Sequence, residues 1–177
     1  MITLLSLLKE ELANAHETFE STAADIKDEH VHKDPGGMAF PLGATYAHLV
    51  FSEDAIVAGM LQSKAPLFAT DWKDKTGASA PMPAMDENWE KANSEWSKSV
   101  QVDLSQMREY AKAVYAATDV YLETLTEEDL EKELDLGPMG KQTVVHVIYS
   151  FLVGHTNSLA GELSALKGVH GVKGYPF

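Results

Sequence analysis

The sequence lacks cysteine and is poor in basic residues, and each shortage excludes a class of function. Without cysteine there are no disulfides, no thiolate metal ligands and no cysteine nucleophile. Only 14 Lys and Arg residues stand against 27 Asp and Glu residues, which gives a formal net charge of −13. Because no stripe of basic residues is present, we expect no binding to nucleic acid, and an anionic membrane surface would repel the chain.

Long hydrophobic runs and targeting segments are lacking as well. The longest apolar run, 144–154, contains His146 and Ser150 and is too short to span a bilayer. The first nine residues lack the basic segment and the cleavage site of a signal peptide. Hydrophobic residues make up 45% of the chain and charged residues 23%, as in globular proteins. We therefore expect one soluble, cytoplasmic domain over residues 1–177.

Helical periodicity is the main pattern that the sequence contains. Four stretches place apolar residues three, four or seven positions apart, the spacing of an amphipathic α-helix. They cover approximately residues 5–26, 41–62, 103–125 and 142–167. In the third stretch Asp103 and Gln106 have the spacing of a capping box. The sequence predicts an all-α protein, a four-helix bundle with a long crossover connection.

The segments between these helices carry turn signals. Residues 63–102 form the long crossover, which contains several prolines and one predicted helical turn around residues 86–93. Residues 134–140 predict a short extended hairpin before the last helix. Gly168 is a suitable residue to end that helix.

Polar residues inside an apolar stripe are candidates for function, because most of the stripe is expected to face the core. In the fourth helix His155 and Glu162 interrupt a face formed by Val144, Ile148, Phe151, Leu159 and Leu166. His146 lies nine residues before His155, which places it on the opposite face, and we expect it at the surface.

The second helix carries His48, followed at helical spacing by the small residues Ser52, Ala55 and Gly59. These small residues leave either a pocket beside His48 or room for a neighbouring helix. Glu53 either orients an imidazole ring or faces water, and His16 flanks the stripe of the first helix. One such histidine alone is more simply a satisfied core residue, but two on inner faces of different helices favour a joint site.

Two segments resemble motifs of the DinB-like (YfiT-like) metalloenzyme family of four-helix bundles. Residues 46–53 place Glu53 after His48, which is similar to the histidine and acidic residue of that family's second helix. Residues 155–163 resemble its fourth-helix motif, in which a second histidine follows the first by four positions. That second position is Leu159 here, which cannot bind a metal ion. The resemblance covers nearly the whole chain.

The resemblance implies a site for a divalent metal ion, zinc or nickel, or no metal if the altered ligand set has lost it. It assigns His48 and His155 as ligands, and Glu162, Glu53 or His16 are candidates for the position that Leu159 leaves open. The family's activities are thiol-dependent transfers and isomerisations on small molecules. One hypothesis is therefore a metal-dependent transferase or hydrolase with an altered two-histidine site, acting on a small-molecule or thiol substrate. The other is a non-catalytic ligand-binding or interaction bundle.

The resemblance also implies a homodimer. The first helix supports this expectation, since Leu4 and Leu7 lie off its main apolar stripe.

Overall fold

The computed structural model describes residues 2–177, except for the side chain of Pro138. Its fold is all-α, as predicted. The helices are α1 (Leu4–Ala23), α2 (Asp28–Val31), α3 (Leu42–Asp54), α4 (Trp89–Ser99), α5 (Leu104–Thr124), α6 (Val144–His146) and α7 (His155–Val169). A π-helical segment, Ala55–Leu61, continues α3, and another, Val147–Gly154, joins α6 to α7. No helix among residues 2–177 is long and apolar enough to cross a membrane.

The connections contain short elements. Single 3₁₀ turns lie at Leu67–Ala69, Asp129–Glu131 and Gly137–Met139. Strands β1 (Glu133–Asp135) and β2 (Lys141–Thr143) form the predicted hairpin, pairing antiparallel with Glu133 opposite Thr143. The predicted helical turn at 86–93 is longer than expected and lies further along the chain, as helix α4.

Side-chain caps fix the starts of two long helices. Thr3 and Ser6 form a capping box at α1. At α5 Asp103 accepts a hydrogen bond from the Gln106 backbone N–H at 3.1 Å, which is one of the two bonds of the predicted capping box. The predicted end of α7 at Gly168 is wrong. The helix continues to Val169, and Gly171 takes the left-handed conformation with φ 77°.

The bonds at this end form a Schellman motif. The N–H of Val172 donates to the Lys167 carbonyl at 2.9 Å, and the N–H of Gly171 donates to the Gly168 carbonyl at 3.0 Å. Gly171 is therefore the glycine that ends the helix.

The long helices form a bundle in which α7 packs against α1 and α3, and α3 packs against α5. Their apolar faces form two clusters of buried side chains. One cluster includes Phe19, Phe51, Val114 and Leu159. The other includes Leu12, Ile56, Leu122 and Val153. Four long helical segments contribute side chains to both clusters: α1, α3 with its π-helical continuation, α5, and the continuous stretch from α6 to α7. Each segment therefore passes from one cluster to the other near its middle.

Candidate functional site

A polar layer lies where the helices pass between the two apolar clusters. The polar layer consists of His16 on α1, Glu53 on α3, Thr118 on α5, and two adjacent residues of α7, His155 and Thr156. Glu53, Thr118 and Thr156 are buried, and His155 is partly exposed. Sites of helical bundles are commonly built in this way, from side chains on facing helices.

Both π-helical segments adjoin this layer. Ala55–Leu61 begins two residues after Glu53, and Val147–Gly154 ends directly before His155. Short π-helical stretches inside α-helices are frequent at functional sites, because the extra residue changes the direction of neighbouring side chains. The layer is therefore a region where backbone irregularity and buried polarity coincide.

His155, which belongs to this layer, meets His48 of α3. Their ring centroids are 5.2 Å apart, and the rings are nearly perpendicular, at 80°. Trp89, the first residue of α4, lies over His48 with its ring centroid 6.3 Å away. The predicted approach of the two histidines is confirmed, and His146 is exposed, as predicted.

Both imidazoles of this pair are held in the neutral form at neutral pH. Burial, and then the neighbouring His155, lower the pKa of His48 from 6.5 to about 4. Burial also lowers the pKa of His155, and the charge of Glu53 opposes that shift. His48 Nδ1 is buried and finds no hydrogen-bond partner among the described residues.

Glu53 is bound within the protein and does not face water. Its side chain is 1% exposed, and its Oε2 lies 2.8 Å from His16 Nε2. Its other oxygen, Oε1, accepts a hydrogen bond from the Thr118 hydroxyl at 2.7 Å. Of the two predicted roles for Glu53, the structure therefore shows the orientation of a ring, and the ring is that of His16.

Glu162 does not take the core-facing position that the periodicity predicts. It is exposed, and its Oε1 lies 3.4 Å from the Thr45 hydroxyl. Glu162 lies just beyond the edge of the buried face of α7, which is formed by Thr156, Leu159, Ala160, Leu163, Leu166 and Lys167. The predicted stripe placed Glu162 between Leu159 and Leu166, which are both buried, but the centre of the buried face lies on the other side of these two leucines. Leu159, in contrast, is 7% exposed and packs in the core, as predicted.

A three-ligand metal centre does not fit the described residues. Across residues 2–177, no group of three or more His, Asp or Glu side chains is arranged to hold a metal ion. The contacts explain this result. Leu159 has no donor atom, both oxygens of Glu53 are engaged, and Glu162 lies at the surface.

Two cavities lie away from His48 and His155. One of about 770 Å³ is lined by Asp28, His32, Gly77 and Asp103, and one of about 340 Å³ is lined by Phe68, Lys73 and Pro81. The pocket predicted beside His48 stays a prediction.

The sequence did not reveal the hydrogen-bond partners of Glu53 and Glu20. Thr118 stands in the apolar stripe of the third helix, and a polar residue in that position was the available signal. Glu20 accepts hydrogen bonds from the hydroxyls of Tyr46, at 2.8 Å, and Tyr115, at 2.9 Å. Burial and the Glu20 charge raise the pKa of both tyrosines. No periodicity signals such a contact, since it joins three different helices.

Comparisons with known proteins agree with this fold. The model of the DinB superfamily matches residues 11–158, which include His48 and His155. A crystal structure of a conserved protein from Enterococcus faecalis is similar in fold, with a TM-score of 0.77 and 22% sequence identity, over 96% of this chain and 98% of that chain. No curated protein matches the sequence.

Proposed function

This chain belongs to the DinB superfamily, and from that premise we propose that its His48–His155 pair is a binding site for a small, uncharged organic molecule. The observation that carries the proposal is the meeting of two neutral imidazoles, with a centroid separation of 5.2 Å, beside a third position filled by Leu159. Such a pair offers hydrogen bonds to a ligand without the ligand set of a catalytic metal ion.

The chemistry of the pair favours a particular class of ligand. Each neutral imidazole presents one N–H donor and one acceptor nitrogen, which suits a hydroxyl or amide group. A buried nitrogen without a partner, such as His48 Nδ1, costs free energy that a bound polar group would recover. The Trp89 ring offers an aromatic face next to His48, and the buried Glu53 carboxylate disfavours an anion. A hydroxyl- or amide-bearing aromatic compound satisfies all these conditions.

Titration with phenol and with benzamide, followed by NMR of the histidine ring protons, tests this proposal. We expect saturable shifts of the His48 and His155 signals. Binding should be lost in His48→Ala and in His155→Ala but kept in the control His146→Ala, whose ring is exposed. Saturable binding that survives both pocket variants, or none in the wild type, would contradict the proposal.

A divalent metal ion is the second candidate ligand, and the ring separation favours it. With Zn–N bonds of about 2.0–2.1 Å, two imidazoles on one tetrahedral ion have centroids about 5 Å apart. The observed 5.2 Å is close to that value. With two protein ligands, such an ion would be held weakly. Under this candidate, nickel raises the Tm of the wild type by a small amount that disappears in His48→Ala, whereas the organic-ligand proposal predicts no effect of nickel that depends on His48.

A further inference from the structure

The polar layer contains a second arrangement, separate from the His48–His155 pair. We propose that His16, oriented by Glu53, is a general base that accepts a proton at Nδ1 and needs no metal ion. This proposal goes beyond the binding site described above and rests on different contacts, so that either can fail alone.

The contacts of Glu53 decide which nitrogen of His16 carries the proton. An ionised carboxylate can only accept hydrogen bonds, and Glu53 receives one at each oxygen, from Thr118 Oγ1 at 2.7 Å and from His16 Nε2 at 2.8 Å. The Nε2 of His16 therefore holds the hydrogen. In the neutral ring the lone pair then lies on Nδ1, the nitrogen left available to a bound molecule.

The plane of the His16 ring is also fixed. The ring stacks on Tyr115, with centroids 3.9 Å apart and planes 23° apart. Tyr115 is held in turn, because its hydroxyl donates to Glu20 Oε1 at 2.9 Å. A base whose rotamer is locked by packing and by hydrogen bonds keeps its productive geometry without further ordering.

Burial makes Glu53 suited to stabilise the charge that proton transfer creates. When Nδ1 takes a proton, the ring becomes an imidazolium in contact with a carboxylate that is 1% exposed. The attraction between the two charges is stronger there than in water, because the surrounding dielectric is low. A buried carboxylate supports the catalytic histidine of serine proteases in the same way, without itself taking the proton.

The chemical step is a proton transfer that balances without a co-reactant. The X–H bond of the bound molecule breaks, its electron pair stays on that molecule, and a new N–H bond forms at Nδ1. Return of the proton to another atom of the same molecule completes an isomerisation. Such a base contributes about 10²–10⁴-fold to a rate.

The position of the pair agrees with this role. The side chain of His16 is 12% exposed, so part of it reaches solvent, whereas that of Glu53 is 1% exposed. The pair lies in the polar layer between the two apolar clusters, where the π-helical segment Ala55–Leu61 begins two residues after Glu53. If the pair had only a structural role, it would need the hydrogen bond between His16 and Glu53, but His16 Nδ1 would not have to be free.

Two measurements on the full-length protein test the proposal. The first is ¹⁵N NMR of the wild-type histidine rings at neutral pH, which reports the tautomer directly and needs no variant. We expect hydrogen on Nε2 and a free Nδ1 in His16, and we expect Glu53→Gln to lose this preference. Hydrogen on Nδ1 of the neutral ring would overturn the proposal.

The second measurement uses 5-nitrobenzisoxazole, a small carbon acid that opens to a coloured phenolate when one proton is removed. We expect the wild type to accelerate this opening by about 10²–10⁴-fold over buffer. The acceleration should disappear in His16→Gln, fall at least tenfold in Glu53→Gln and persist in His146→Gln. Retention of the wild-type rate in His16→Gln, or a wild-type rate equal to that of buffer, would refute the assignment.

A further variant separates this proposal from the proposed binding site. In His48→Ala the His16–Glu53 pair is intact, so the His16 tautomer should be unchanged even though phenol no longer binds. Loss of phenol binding together with a free Nδ1 on His16 supports both proposals. Absence of phenol binding in the wild type with the expected tautomer contradicts the binding site alone.

Discussion

The side chains of His48, His155 and Glu53 have different local environments. His48 is neutral because burial and His155 lower its pKa to about 4. Glu53 is fixed in place by its contacts with His16 and Thr118, one at each oxygen. Burial lowers the pKa of His155, and the charge of Glu53 partly opposes that shift. Burial therefore holds both imidazoles in the neutral form at neutral pH, while two contacts fix the position of Glu53.

Stability should depend on pH through His48. The folded pKa of about 4 lies below the ordinary value of 6.5, so between these values the unfolded chain binds a proton that the folded protein does not. The stability that His48 contributes is therefore greatest above pH 6.5, falls as the pH drops to about 4, and changes no further below that value. The expected loss between pH 7 and pH 5 is about 2 kcal/mol.

Urea unfolding of the wild type and of His48→Asn at these two pH values measures this loss. The variant should lack the His48 contribution, whereas the control His146→Asn should keep the wild-type dependence. An equal pH dependence in wild type and His48→Asn would show that His48 is not held neutral by the fold.

The residues of the site were predictable to different degrees. His48 and His155 were identifiable because each lies on an inner helical face and within a family motif. Glu162 was misplaced, because it lies at the edge of the apolar stripe of α7, where helical spacing alone does not separate buried from exposed positions. The pairing of His16 with Glu53 was not predictable, since it depends on the rotation of α1 against α3, which a sequence pattern does not fix.

At the scale of elements, the crossover connection shows how an irregular segment is held to the bundle. Its first part is attached by Asp54, which accepts hydrogen bonds from the backbone N–H groups of Leu67 at 2.9 Å and Phe68 at 3.0 Å. Tyr110 donates to the same carboxylate at 2.6 Å. Further along, Gly77 packs against the start of α5, and its carbonyl accepts a hydrogen bond from the Asp103 N–H at 2.7 Å.

Gly77 should be required for this attachment. It has φ +88°, and a Cβ atom there would lie 2.6 Å from the backbone nitrogen of Met107 and 2.7 Å from the Asp103 carbonyl oxygen. Gly36 also has φ +88°, but a Cβ atom there would meet nothing within 4 Å. Gly36→Ala therefore measures the cost of the backbone conformation alone, about 1 kcal/mol, and Gly77→Ala adds the clash with α5.

Urea denaturation should show Gly77→Ala destabilised by at least about 1 kcal/mol more than Gly36→Ala, with the difference expressed in the free energy of unfolding. Equal effects of the two substitutions would mean that the crossover is not anchored closely at the start of α5.

The elements themselves were predictable where apolar periodicity is strong. The four long helical segments and the hairpin follow the predicted pattern, because each helix buries a continuous stripe. Helix α4 was predicted too short, since Trp96 is its one large apolar residue in the core and the signal is correspondingly weak. The π-helical segments were not predictable, because apolar residues fill both faces of Val147–Gly154 and hide the change of period.

For the whole molecule, we propose assembly into a homodimer through the start of α1. Leu4 and Leu7 are 47% and 42% exposed, and Ile2 beside them is 80% exposed. Apolar side chains grouped in this way gain free energy when a second copy covers them. Light scattering should give twice the chain mass of 19.3 kDa at micromolar concentration, and the double variant Leu4→Gln with Leu7→Gln should give a single chain mass. A wild-type protein of one chain mass would refute the dimer.

The central claim is that the His48–His155 pair lacks a third metal ligand because Leu159 occupies its position. Leu159→His should supply that ligand, one helical turn from His155 on the same face. Without metal, the substitution should cost about 1–3 kcal/mol, because it buries a polar ring in an apolar stripe. Nickel should recover the loss, since an ion that binds only the folded state stabilises it. Ser158→His, at the neighbouring exposed position, is the matched control.

The most direct test is a thermal melt of the wild type, Leu159→His and Ser158→His, with and without nickel. The account predicts a clear rise in Tm with nickel for Leu159→His and little change for the other two proteins. A strong rise in the wild type would contradict it, because a third ligand would then already be in place.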